Sequence, residues 1–174
     1  AFRAGQDFVA PVKPDTIAEI WPDYAVVARL TVQGAPLLYT PADAAPEPFG
    51  IHRFGLWPLV PYANRAFGAK LDSGIEIFDL PANDPGGGNG LHGFGWQQPW
   101  TVMSRNSTRV VLQQDLKTGG GPYRYLASLA VAVDGLGATF DLAVENRGPR
   151  SLPFGIGFHP WFPDGTATLE ARRE

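Results

Sequence analysis

Between Tyr123 and Glu145 the chain keeps a period of two that only extended backbone satisfies. The odd positions Tyr123, Tyr125, Ala127, Leu129, Val131 and Val133 form one continuous apolar face. The even positions carry Arg124 and Ser128 but are otherwise small or apolar. That pattern predicts a strand buried on most of both sides. Asp134-Gly135 then supplies a strong turn pair, after which Phe140, Leu142 and Val144 alternate with Thr139, Asp141, Ala143 and Glu145. The two runs and their turn predict a β-hairpin.

Helices have little room elsewhere, because 21 glycines and 17 prolines among 174 residues interrupt every long apolar stretch. Further strands are expected over residues 24–32, 36–40, 75–80, 100–104, 108–114 and 166–170. Residues 15–21 offer the one plausible helical turn, with Asp15 as its cap and Glu19 in its first turns. Long loops cover 41–49, 81–90 and 117–122, and loops of that length on a strand scaffold tend to be functional. With no internal repeat and no linker, the expectation is one all-β domain over 1–174, built as an antiparallel β-sandwich.

With 44% hydrophobic and 18% charged residues the chain is globular in composition. A net charge of -3 gives no basic footprint for nucleic acid. No run of eighteen apolar residues would span a bilayer, and Ala1-Phe2-Arg3-Ala4 has no apolar signal region, so cytoplasm is the default expectation. The absence of cysteine excludes disulfides and thiolate chemistry. Gly86-Gly87-Gly88 and Gly119-Gly120-Gly121 are not phosphate loops, since no Lys-Ser/Thr follows and neither opens a helix. His52, His92 and His159 are far apart with no paired ligand spacing, so no metal is expected; His52 reads as a surface or loop residue.

Three segments set polar side chains among glycines and aromatics. They are Pro58-Leu59-Val60-Pro61-Tyr62-Ala63-Asn64-Arg65, Gly90-Leu91-His92-Gly93-Phe94-Gly95-Trp96 and Gly155-Ile156-Gly157-Phe158-His159-Pro160-Trp161-Phe162. Pro160 restricts His159 to extended geometry at a strand end, and an ordinary histidine pKa near 6.5 suits a proton donor. Glycines around His92 allow close approach to the backbone. Trp96, Trp100 and Trp161 offer flat faces on which sugar C–H groups stack. The Arg65 guanidinium can hold ring and anomeric oxygens, or else pair with Asp72 or Asp79. Asn64 shapes the turn before Arg65 and stands where it could touch the ligand. Together these groups suit a neutral, polyhydroxylated ligand.

In their order and wording the segments resemble the aldose 1-epimerase (galactose mutarotase) family, over roughly residues 34–165, with Glu145-Asn146-Arg147 and Leu152-Pro153-Phe154 in support. The resemblance implies a large antiparallel β-sandwich and a cofactor-free interconversion of hexose anomers. It implies His159 as the general acid at the ring oxygen, His92 as the histidine that binds and polarises that oxygen, and Arg65 as a substrate-binding residue. The family's general base is a glutamate beyond the part matched here, and Glu170 and Glu174 stand in no comparable motif. The chain thus looks like the first half to two-thirds of such a domain, and unpaired strand edges would favour a homodimer. Arg53 and Arg147 are cations that a phosphorylated hexose could meet, though nothing selects them. A carbohydrate-binding module using Trp96, Trp100 and Trp161, or an inactive truncated relative, is the alternative reading. A glycoside-processing enzyme would need two flanking carboxyl groups, for which no motif is present.

Overall fold

The computed structural model describes residues 16–45 and 53–165, together with the backbone of a short strand at 7–9. In chain order the first strands are β1 (Asp7–Val9), β2 (Thr16–Trp21), β3 (Val26–Val32), β4 (Ala35–Pro36) and β5 (Leu56–Leu59). Then come β6 (Arg65–Ala66), β7 (Lys70–Asp72), β8 (Ile77–Asp79), β9 (Gly90–Leu91) and β10 (Thr101–Arg105). The last are β11 (Arg109–Leu116), β12 (Tyr125–Val133), β13 (Ala138–Asn146) and β14 (Gly157–Pro160). One sheet runs β1-β2-β3-β5-β14, with β4 beside β3, and a second runs β10-β11-β12-β13. All pairings between these strands are antiparallel. Strands β6 with β9 and β7 with β8 form small ribbons.

The hairpin lies where the period of two placed it. β12 and β13 pair from Tyr125↔Asn146 to Val133↔Ala138, and the Asp134 carboxylate accepts the N–H groups of Leu136 and Gly137 across the turn. The odd positions of β12 are buried, while the even ones are half-buried rather than enclosed. On β13, Phe140, Leu142 and Val144 are half-buried and their neighbours exposed. The outer edge of β13 has no strand partner among the described residues.

The two large sheets face each other across one core. Ile20, Val27, Leu30 and Leu56 from the first meet Val110, Leu112, Tyr125, Ala127, Leu129 and Val131 from the second. Each large apolar side chain enclosed there contributes about 1.5–3 kcal/mol. Val26 and Ala28 point the opposite way from Val27 and join Trp21, Phe54, Trp57, Leu59, Leu91 and Trp96 in a separate cluster on the other face of the first sheet.

Burial on both faces explains the differences from the sequence-based expectations. Residues 16–21 form strand β2, not a helical turn, and pair with β3 from Thr16↔Val32 to Trp21↔Val26. Six residues are too few to hold a helix in water, and a strand buried on both sides shows no alternation. Glu19, 5% exposed, is accommodated by Arg29 at 2.6 Å and by the Trp21 indole N–H at 3.0 Å. Of the strand expected over 36–40, only Pro36 lies in a strand, at the end of β4 (Ala35–Pro36). Elsewhere the boundaries of the expected strands shift by at most two residues, and the strand expected over 166–170 lies outside the described residues, as does His52. Among the described residues no helix is long and apolar enough to cross a membrane.

Candidate functional site

The site lies on the face of the first sheet that carries the tryptophan cluster. β14 pairs with β5 so that His159 stands opposite Trp57. Side chains alternate along a strand. Phe158 therefore turns inward, its ring 5.8 Å from that of Phe140, and His159 emerges on the other side. There its imidazole stacks on Trp57, with centroids 4.6 Å apart and planes 4° from parallel. Trp161, two residues on, flanks it at 5.7 Å and 27°.

His92 arrives from another part of the chain. β9 pairs with β6, Leu91 opposite Arg65, which sets Arg65 beside the loop that carries His92. The His92 ring lies edge-on to His159 with centroids 5.2 Å apart, and edge-on to Trp57 at 5.5 Å. His92 and Asn64 both adopt left-handed backbone, φ 54° and 63°. That geometry is uncommon for any residue but glycine and costs on the order of 1 kcal/mol, though Asn and His adopt it more readily than most. The two residues hold each other: the His92 N–H donates to the Asn64 carbonyl, and the Asn64 N–H donates to His92 Nδ1, both at 2.9 Å. A nitrogen that accepts from a backbone N–H carries no proton. The neutral His92 ring therefore bears its hydrogen on Nε2.

The two imidazoles are not equivalent. Burial, then His159, then Arg65 lower the pKa of His92 to about 4, against a small opposing effect of Asp84. His159 is lowered chiefly by burial. A proton on either ring disfavours a second one on its neighbour. His92 is thus held neutral, with its hydrogen on Nε2. The unfolded chain protonates His92 near 6.5 and the folded chain near 4, so between these values the unfolded state binds more protons. The resulting stability is complete above pH 6.5 and is lost as the pH falls toward 4. An NMR titration of the ring nitrogens is expected to place the His92 midpoint near 4; a midpoint near 6.5 would refute it.

Arg65 pairs with neither Asp72 nor Asp79. Its Nε donates to Asp84 Oδ2 at 3.1 Å, and Asp79 instead pairs with Lys70. Asp84 also accepts from the Gly86 N–H at 3.1 Å and from Asn89 at 3.3 Å. The Gly86 N–H and Arg65 hold its carboxyl below the usual carboxylate range. Asp84 therefore makes a poor base. No group of three or more metal-ligating side chains occurs among the described residues.

Of the groups expected from the sequence, His92, His159, Arg65, Asn64 and Trp161 come together, and Trp161 is 38% exposed. Trp96 does not offer a face to a ligand. It is fully buried, with its ring 5.9 Å from that of Trp57 and its indole N–H on the Leu91 carbonyl at 3.1 Å. Trp100 is 4% exposed and donates to the Gly95 carbonyl. Aromatic residues beside glycine read alike whether they close a core or line a pocket, and here packing takes both. Trp57 and Asp84 do not stand out in the sequence; a tryptophan ahead of the first segment and an acidic residue in the loop before the second are the available signals.

The chain is thus a two-sheet antiparallel sandwich with a histidine pair and an arginine grouped beside one sheet face. A model of the family described as "Aldose 1-epimerase" matches residues 25–171. The chain belongs to the aldose 1-epimerase family. It is similar to the Escherichia coli protein YphB, at 35% identity over 62% of this chain and 36% of that protein. A proposed aldose 1-epimerase of Escherichia coli superposes with a TM-score of 0.78 at 26% identity, covering 91% of this chain and 52% of that one. A galactose mutarotase-like protein of Lactobacillus casei shares the fold, with a TM-score of 0.72 at 18% identity over 94% of this chain and 51% of the other. The chain thus spans about half, or less, of the length of the relatives it matches.

Proposed function

We propose that this site binds a hexose and serves the interconversion of its α and β anomers by acid/base ring opening. The observation that carries the reading is the His92–His159 pair, 5.2 Å between centroids, in which one ring is fixed as a neutral donor and the other takes the proton. In the proposed reaction His159 gives a proton to the ring oxygen while the Nε2–H of His92 donates to the same oxygen. The C1–O bond of the ring breaks as the C1 hydroxyl loses its proton. Rotation about C1–C2 and reclosure on the other face return both protons. Arg65 holds neighbouring oxygens through its terminal nitrogens, Asn64 fixes His92, and Trp161 stacks on the sugar. Only protons move, so the reaction asks for no cofactor. The base at the C1 hydroxyl is proposed to come from outside the described residues, since Asp84 is engaged elsewhere.

The exposed Trp161 also fits the reading of a binding module, which needs no base. Exchange of glucose and galactose anomers, followed by NMR saturation transfer, separates the two. The proposal expects exchange faster than in buffer, together with quenching of tryptophan fluorescence by sugar. Trp161→Ala is expected to weaken sugar affinity by about 1 kcal/mol, roughly fivefold. Quenching without any gain in exchange would leave the binding module.

A further inference from the structure

Asn83 and Asp84, consecutive residues in the loop between β8 and β9, have no part in the proton transfers above. Yet between them they hold both sides of the site. The Asn83 carboxamide brackets His92. Its Oδ1 accepts the Leu91 N–H at 2.6 Å, and the two hydrogens of its Nδ2 are shared among the carbonyls of Leu91 at 3.1 Å and Gly93 at 2.7 Å and Gln97 Oε1 at 2.8 Å. Leu91 and Gly93 are the residues immediately before and after His92. Asp84 takes Arg65 through Nε and not through either terminal guanidinium nitrogen. The loop is itself closed, because the N–H groups of Asn83 and Asp84 both donate to the Asn89 carbonyl at 3.0 and 3.1 Å.

We infer that Asn83 and Asp84 are the positioning residues of the site, Asn83 fixing His92 and Asp84 fixing Arg65. His92 gains from such a clamp because left-handed backbone is sparsely populated for any residue that carries a Cβ. A single carboxamide that reaches both neighbouring residues holds φ there and keeps Nδ1 on the Asn64 N–H. Asn suits this position because it supplies an acceptor and two donors on a short stem. Asp suits position 84 for a different reason, since a carboxylate fixes the guanidinium in the plane of its fork without covering the outer nitrogens. The inference rests on the proposed reading of His92 and Arg65 as ligand-binding groups, and its test is independent of turnover.

The test is long-range ¹H–¹⁵N NMR of the imidazoles in the full chain, with sugar affinity measured by tryptophan fluorescence. In the unsubstituted protein His92 is expected to show a single tautomer, protonated at Nε2, with Nδ1 bare. In Asn83→Ala the clamp is gone. His92 is then expected to become a mixture of tautomers and to titrate closer to the ordinary value near 6.5. Asn83→Asp keeps the volume and the acceptor for the Leu91 N–H but turns a carboxylate toward three oxygens; the same mixture of tautomers is expected, and this variant serves if alanine unfolds the loop. Asp84→Asn is expected to leave the His92 tautomer as it is while weakening sugar affinity about tenfold. An unchanged His92 tautomer in the folded Asn83 variants would overturn the inference, as would unchanged affinity in Asp84→Asn. Absence of anomer exchange in the unsubstituted protein would defeat the proposed reaction but leave the tautomer result decisive.

Discussion

Replacing His159 by alanine is expected to reduce protein-dependent anomer exchange by about 10²–10⁴-fold, the usual worth of a positioned acid. The expectation follows from the asymmetry of the two imidazoles. His92 cannot take over the proton: its Nδ1 is committed to the Asn64 N–H, and burial, His159 and Arg65 push its pKa to about 4. Removing His159 relieves one of those influences, but burial and Arg65 remain. Water could enter the space left beside Trp57, but it would be neither oriented nor acidic. The fold should survive, because His159 is only half-buried and Trp57 stays supported by Trp96. A loss of about 1–2 kcal/mol in stability is the ordinary scale for such a truncation. Saturation transfer between the anomeric protons reads the rate directly, and circular dichroism checks the fold. Exchange within threefold of the unsubstituted protein would remove His159 from the mechanism.

What the sequence revealed depended on whether one side chain could signal its own surroundings. The hairpin of β12 and β13 was legible because each strand has one face distinctly more buried than the other, so the period of two survives in the residues. β2 and β5 were not legible as strands, because both faces of the first sheet are covered and the pattern vanishes. The grouping of His92, His159 and Arg65 was legible because all three stand out as polar groups among glycines, prolines and aromatics. The partners that give them their chemistry were not. Trp57 meets His159 only through the register of two strands 102 positions apart in the chain, and Asn83 and Asp84 look like ordinary loop residues until the loop closes. Trp96 failed in the opposite direction, since an indole beside glycines suggests a stacking surface but here fills a core.

Gly93→Ala is expected to be the most disruptive single-methyl change in the site loop, costing more than about 3 kcal/mol, a large share of the 5–15 kcal/mol that holds a typical domain together. Two penalties coincide at this residue. Its φ of 66° is left-handed, which a methyl group opposes by about 1 kcal/mol. In addition, an added Cβ would stand 2.6 Å from Pro61 N and nearer still to the Val60 carbonyl carbon and oxygen. Those are backbone atoms that cannot rotate away as a side chain can. They are also engaged, since the Val60 carbonyl accepts the N–H groups of Phe94 at 2.6 Å and Gly95 at 3.1 Å. The backbone must move, and His92 moves with it. Gly87→Ala is the matched control: it lies in the adjoining loop at φ 85° with nothing within 4 Å of the added methyl, so only the conformational penalty of about 1 kcal/mol applies. Urea unfolding of the two variants isolates the clash, because the left-handed cost is common to both. Equal midpoints would mean that the loop yields freely at Gly93. A midpoint for Gly93→Ala far below that of Gly87→Ala, accompanied by loss of sugar quenching, would show that the close approach of the Gly93 and Val60 backbones is what holds His92 beside His159.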